Sequence, residues 1–433
     1  MKATILSVLC LVMLSSCESV TAERIESWKG TQKGPGKIEK ALRNSDVSPA
    51  LRAQAAAALV ELGQPEKVDD IMATLPAASR WEIVKHLVDI HAKGMRQEDV
   101  NKARDARDAL FSVRGYAPPD EKKRIDGLLM ASVEKDLMAG RFSGGRHSLE
   151  KMLAAFGTAS GPMLVKLFAD PKAPFRGLAE LAVKVCDAPT LEAAGTALLK
   201  RAPEGAPIPT EMWLALGTLG GSPVAEFLRN KFEKGSPEEA QLAGRALQQS
   251  RFPSVLPVAL RIAGSAKARR ELRDEAFGIV EKIGTPDAQR GLLRIIAEDR
   301  DEMVRYRAHE AVIAIGKEKA IVPALEAFPA RNAYKREDVL DFLVKDITKL
   351  GPRAKPEVLA ALSSPSPLAR MTAILALGTP LPANPKANLG DASDAPAVLK
   401  LAGDKATIKG FPAGTTIGSE AQRVAGLLQG KAG

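Results

Sequence analysis

The sequence is poor in the residues that carry most enzyme chemistry. Of 433 residues, three are cysteine and four are histidine. Cys10 lies in an apolar leader and Cys17 at its end, so Cys186 stands alone and an internal disulfide framework is excluded. His86, His91, His147 and His309 occur in no His-Glu-x-x-His or paired-cysteine setting, so no metal site is expected. No Gly-x-Ser-x-Gly elbow and no Walker loop is present. Carboxylates four apart, such as Glu298 and Glu302, occur on any solvated helix and carry no acid–base argument. No catalytic residue and no cofactor is therefore expected. Aromatic residues make up only 4%. The hydrophobic 45% is mostly alanine, leucine and valine, which excludes disorder and suits close-packed helices better than a β-sandwich core.

Lysine and arginine number 62 against 52 acids, a net charge of +10. Spread over a long surface, this excess is expected to be solvated. The densest basic stretch holds Arg261, Lys267, Arg269, Arg270 and Arg273 against one acid, Glu271. It reads as a solvated turn between helices or as a grip for an anionic polymer, lipid headgroup or acidic partner.

The chain opens with Met1 and Lys2, then runs apolar from Ala3 to Leu14. That run is well short of the ~20 residues a spanning helix needs, and the pattern is that of a secretory signal. It closes on Leu14-Ser15-Ser16-Cys17, which resembles a bacterial lipobox. The resemblance implies cleavage before Cys17 and acylation of its thiol. Glu18, not aspartate, follows the cysteine, which under the enteric sorting rule implies the outer membrane, facing the periplasm. Residues 17–35 read as a polar tether with a short helix near residues 24–28.

An internal repeat runs along the rest. Asp46 to Arg52, Asp170 to Arg176 and Asp299 to Arg305 each place an aspartate six residues before an arginine. Three residues on comes alanine (Ala55, Ala179, Ala308). Seven on comes Leu59, Val183 or Val312, ten on comes Leu62, Cys186 or Ile315, and eleven on comes Gly63, Asp187 or Gly316. Offsets 0, 3, 7 and 10 share one helix face, and glycine at offset 11 is a helix stop. The aspartate is placed to bond free backbone donors at the turn. Applying the same offsets, leads fall at Arg146, Arg176, Pro209, Ala240, Arg273, Arg305, Leu340 and Arg370, 30 to 35 residues apart. Such a sustained period signals a solenoid. Second helices fit between copies, as at 253–262, 285–296 and 319–328, often opening on Ser-Pro or Thr-Pro. Trp81 and Trp213 fall inside helical patterns and are expected in the core.

The aspartate-to-arginine motif, the alanine and the closing glycine resemble HEAT repeats of the short bacterial kind, also called PBS-lyase HEAT-like. The resemblance implies an all-α, right-handed α-solenoid of helical hairpins. It also implies that Asp46, Arg52, Asp170, Arg176, Asp299 and Arg305 form a structural ladder of polar contacts between repeats. The expected organisation is a leader at 1–16, a lipidated tether at 17–35 and the solenoid at 36–378, with an irregular longer hairpin at 96–139. A Pro/Gly-rich segment and a divergent hairpin cap follow at 379–433, with helices at 394–401 and 419–428 around a long loop at 405–418. The function expected is a non-enzymatic, lipid-anchored envelope scaffold binding protein partners and no nucleic acid. The alternative is a binder of an anionic envelope polymer or lipid through residues 261–273.

Overall fold

The structure, a computed structural model, describes residues 19–202, 207–330 and 333–430. Cys10, Cys17 and the leader lie outside the described residues. The fold is an all-α solenoid of helical hairpins, divided into two compact units, Met1–Arg201 and Ala202–Gly433. That boundary falls inside the span 36–378 that the repeat had marked as a single array.

Unit 1 begins with α1 (Ala22–Lys29), α2 (Gly34–Arg43), α3 (Pro49–Glu61), α4 (Pro65–Thr74) and α5 (Ala77–Gly94). The longer hairpin follows as α6 (Val100–Val113) and α7 (Pro119–Met138), then α8 (Leu149–Phe156), α9 (Ser160–Ala169), α10 (Arg176–Val185) and α11 (Ala188–Leu199). The short helix expected near residues 24–28 is α1, and it is packed rather than free. α1 packs on α2 and α3, and Ile25 is buried there. Among the described residues the one helical stretch long and apolar enough to cross a membrane by length and composition, Leu149–Ala169, is half buried within unit 1 and turns at Gly157, whose φ is +60°.

Unit 2 is more regular. Its helices are α12 (Thr210–Leu219), α13 (Ser222–Lys234), α14 (Pro237–Leu247), α15 (Leu256–Ala263), α16 (Arg270–Ile283), α17 (Pro286–Glu298), α18 (Glu302–Gly316) and α19 (Ile321–Glu326). A composite helix α20 (336–348) follows, whose middle, Val339–Val344, is a π-helix. Then come α21 (Lys355–Ala361), α22 (Pro367–Leu377), α23 (Ala395–Leu399) and α24 (Ile417–Leu428). In one layer α12, α14, α16, α18, α20, α22 and α24 pack each on the next. In the other, α15, α17, α19 and α21 do the same.

The repeat offsets explain this stacking. Ala55, Ala243, Ala276, Ala308 and Ala373, all at offset 3, are 0% exposed, so neighbouring helices approach without a side chain between them. At offset 7, Leu59, Leu153, Leu216, Leu247, Val280, Val312, Ile347 and Leu377 are buried. Each contributes about 1.5–3 kcal/mol by leaving water. Ser48, Ser236, Thr285 and Ser366 each precede a first-turn proline and accept a backbone N–H through their hydroxyl oxygen. Gly284 ends α16 in the left-handed region at φ +61°. After α18 the same job falls to Lys317 at φ +51°, one residue past Gly316.

Two expectations fail. The offsets slip in α10, where Leu178, Ala179, Leu181 and Ala182 form the buried face and Val183 is 45% exposed. Trp81 is 44% exposed, whereas Trp213 is buried and donates its indole N–H to the Ile208 carbonyl oxygen at 3.2 Å. The C-terminal segment also holds a short antiparallel hairpin, β1 (Pro380–Leu381) with β2 (Asn384–Asn388), which no alternation announced.

The N-terminal helix gives the first prediction. Ile25→Ala should lower the urea-unfolding free energy of unit 1 by about 2 kcal/mol through lost burial. An unchanged unfolding curve would show that α1 is not part of the packed stack.

Candidate functional groove

The arginines at the repeat leads do not reach from repeat to repeat through the motif aspartates. Arg52 is buried and donates from Nε to the Leu42 carbonyl oxygen at 2.8 Å and from Nη1 to Ser79 Oγ at 2.7 Å. Asp46 is exposed with no arginine at its side chain among the described residues, and Asn44 Oδ1 accepts its backbone N–H at 2.9 Å. Arg305 is buried and donates from Nη1 to the backbone oxygen of Asp299, not to its carboxylate. Arg370 repeats this at the Ser364 oxygen, 2.8 Å away, and adds Asp404 at 2.9 Å. Arg176 is exposed and, among the described residues, pairs only with Glu180, 3.2 Å away, because α10 has turned its lead position to solvent. The turn around Asp170 is closed by Arg201, which donates to the oxygens of Phe168, Pro171 and Ala173 and stacks on Phe175 at 4.5 Å. Asp170 and Asp299 do accept a backbone N–H two residues on, from Lys172 and Asp301, each at 2.9 Å. The lead arginines therefore fasten turns by satisfying carbonyls left free at helix ends, and where they reach the next repeat they do so through Ser79, Asp301 and Asp404 rather than through the motif aspartates.

A second polar cluster lies in the longer hairpin of unit 1. Buried Arg107 donates to Asp136 at 2.6 Å, and Arg141 donates to the same carboxylate at 2.7 Å. Asp108 accepts the backbone N–H groups of Arg146 and His147. A side chain at Gly145 (φ +95°) would strike Asp108 Oδ2. This is a buried charge lock on the loop before α8, which the sequence had shown only as charged helices and a glycine pair. Nearby, burial pushes the His91 imidazole down to about 4. Cys186 is half-buried, and burial pushes its thiol up.

The groove lies in unit 2, across α16, α18 and α20, with a volume of about 490 Å³. Each helix presents residues three and four apart: Arg270, Arg273, Asp274 and Phe277; Met303, Tyr306, Arg307 and Glu310; Phe342, Lys345, Asp346 and Lys349. The π-helix adds Asp341 to the lining. Such widened turns recur at functional sites, because one extra residue re-aims the side chains around it. Tyr306 and Phe342 stack with centroids 4.6 Å apart at 12°, and Arg307 lies 5.4 Å over Phe277. Burial pushes the Tyr306 phenol well up, with Asp338 and Glu302 adding to it, so the ring stays neutral.

Ion pairs hold the walls. Arg273 reaches Asp301 at 3.4 Å, Arg307 reaches Glu281 at 2.6 Å and Glu310 at 3.0 Å, and Lys349 reaches Asp346 at 3.2 Å and Glu310 at 3.8 Å. Buried His309 places Nδ1 3.2 Å from Asp346. Met303, with no such tie, is 54% exposed.

Two residues of the basic stretch, Arg270 and Arg273, line this groove, and Arg269 precedes them at the start of α16. Arg261 is spent on Glu233 at 2.7 Å, and Arg270 approaches Asp274 at 4.0 Å. Lys267 and Arg269 are exposed and have no ion pair among the described residues. Sequence reasoning missed the aromatic floor. The signal was present: in a chain with so few aromatics, Tyr306, Phe328, Tyr334 and Phe342 crowd into one short span.

No family model matches the chain, and no curated relative does. Among solved structures, a Kap121p mutant matches with a TM-score of 0.43 at 12% identity, over 79% of this chain and 41% of that one. Kap121p bound to Nup53p matches with a TM-score of 0.37 at 12% identity, over 91% and 41%. The karyopherin Kap121p bound to the extreme C-terminus of the protein phosphatase Cdc14p gives 0.37 and 12%, over 92% and 42%. The chain spans about two fifths of the length of those it matches.

Two predictions follow from these contacts. Arg52→Ala and Arg305→Ala should each cost about 1.5–3 kcal/mol in chemical denaturation, while Asp46→Ala and Arg176→Ala stay within about 0.5 kcal/mol. Equal losses at all four positions would restore the inter-repeat ladder. His91 is neutral in the fold but protonates near pH 6.5 when unfolded, so unfolding takes up a proton below that pH. Stability should be intact above pH 6.5 and fall by up to about 1.4 kcal/mol per pH unit between 6.5 and about 4. His91→Leu should flatten that slope, and an unaltered slope would refute the assignment.

Proposed function

We propose that the chain is a lipid-anchored, non-enzymatic scaffold of the bacterial cell envelope that holds a protein partner against the helical surface of unit 2. The observation that carries this reading is the groove across α16, α18 and α20, which sets an exposed Met303 and a stacked aromatic pair between ion-paired walls. Apolar anchors rimmed by charge suit a protein surface, and methionine adapts its shape to what it meets. Against turnover stands the use of the buried and inner acids: Asp346 is held by His309 and Lys349, and Glu310 by Arg307 and Lys349. That leaves Asp341 alone at the edge, with no second acid of the lining outside an ion pair, among the described residues, to share a proton transfer. A general acid or base has to be free to exchange its proton with substrate.

The membrane address rests on Leu14-Ser15-Ser16-Cys17 and on Glu18 after it, which favours the outer membrane facing the periplasm. α1 starts at Ala22, and the five residues from Cys17 to it reach at most about 18 Å. A lipid on Cys17 would therefore hold the start of unit 1 close to the bilayer. Several acyl chains make such an anchor durable.

A benzophenone side chain placed at Met303 should, on irradiation of intact cells, yield a discrete protein adduct that the same group at Arg176 does not. Cys17→Ser should leave the chain unacylated and release it from the membrane fraction. Equal labelling from both positions would reject the docking surface. A membrane-bound, fatty-acid-free chain would reject the anchor.

A further inference from the structure

The groove's unspent charge says what kind of protein segment it takes. This step rests on the reading of unit 2 as a docking surface. The inner cations Arg273, Arg307 and Lys349 are neutralised by Asp301, Glu281, Glu310 and Asp346. Along the rim the balance differs. Lys345 of the lining is exposed with no ion pair among the described residues, and the Arg270 side chain is 83% exposed, 4.0 Å from its acid. Lys267 and Arg269, exposed and likewise without an ion pair among the described residues, lie just before Arg270 in the chain. Asp341, one helical turn from Lys345, is the exposed acid of the lining that is in no ion pair among the described residues. The rim is therefore cationic around a floor that is aromatic and apolar.

We propose that the occupant is an acidic segment of a partner protein that sets one apolar side chain against Met303 and the Tyr306–Phe342 stack. Its carboxylates lie along Arg269 and Arg270. Carboxylates pair with arginine in a fork geometry, and at a rim they set the direction and speed of approach more than the affinity. The apolar side chain supplies the anchor, and a volume of about 490 Å³ holds one or two large side chains. A phosphate- or uronate-bearing polymer would use the rim and leave the floor bare. The 54% exposure of Met303 favours a peptide for that reason.

The test uses the full-length mature chain in detergent and three fluorescein-labelled dodecapeptides, read by anisotropy. One carries phenylalanine flanked by glutamates, one lysines for the glutamates, and one alanine for the phenylalanine. The first should bind at least tenfold more tightly than either of the others, with affinity falling as salt rises. Arg269→Glu with Arg270→Glu should weaken it at least tenfold and flatten the salt dependence. Met303→Glu should weaken it by a similar factor. All three positions are exposed, and a melting curve superimposable on the parent's shows that the variants fold. Binding indifferent to peptide charge, or unaffected by Met303→Glu, overturns the proposal. Lipopolysaccharide micelles that displace the peptide while the alanine peptide binds as well as the phenylalanine one identify a polyanion site and also overturn it. If benzophenone at Met303 captures a protein but no acidic peptide binds, this inference falls and the docking surface stands.

Discussion

A two-helix hairpin has more apolar surface than its own two helices can cover, and everything else in this protein follows from that shortfall. The uncovered face is hidden by the next hairpin, which leaves its own far face uncovered in turn. Close approach is set by fully buried alanines such as Ala276, Ala308 and Ala373, where any larger side chain would wedge neighbouring helices apart. In unit 2 the result is two layers, each helix touching its counterpart one repeat along.

Stacking of this kind spends one helix face on the core and leaves another without structural duty. On α16, α18 and α20 that spare face is where Met303, Phe342 and the rim cations gather. The arginines divide along the same line. Arg52 and Arg305 point inward and close turns by bonding carbonyl oxygens, while Arg269 and Arg270 point outward. One residue type thus serves both as a fastener and as a contact surface, and burial separates the two roles.

Local pattern made the architecture legible. Offsets 3 and 7 mark buried positions because helical period and burial are the same fact read twice. Ser-Pro and Thr-Pro starts such as Ser366 before Pro367 report caps for an equally local reason. The candidate groove was legible only in part. Arg270 and Arg273 stood out as charge, but Tyr306 and Phe342 meet across two repeats and through a π-helix, which has no sequence signature of its own. The motif aspartates misled because a carboxylate and the backbone oxygen of the same residue sit at the same sequence position, and Arg305 uses the backbone. The slip at α10 arose because the apolar stripe there passes through Leu178 and Ala182 rather than through the lead arginine.

The C-terminal segment shows how such a stack is finished. The last regular helix, α22, is covered by α24, and the long loop before α24 is pinned by Asp404 to Arg370 and by the Lys409 oxygen to the Tyr334 N–H at 2.6 Å. A side chain at Gly418 would strike the Ala402 oxygen, so this wrap tolerates no bulk there. An array of like hairpins with a bare last face would be a template for a second molecule to add itself, and then a third. Here α22 is not left bare: irregular chain that does not repeat the hairpin leads into α24, which covers it.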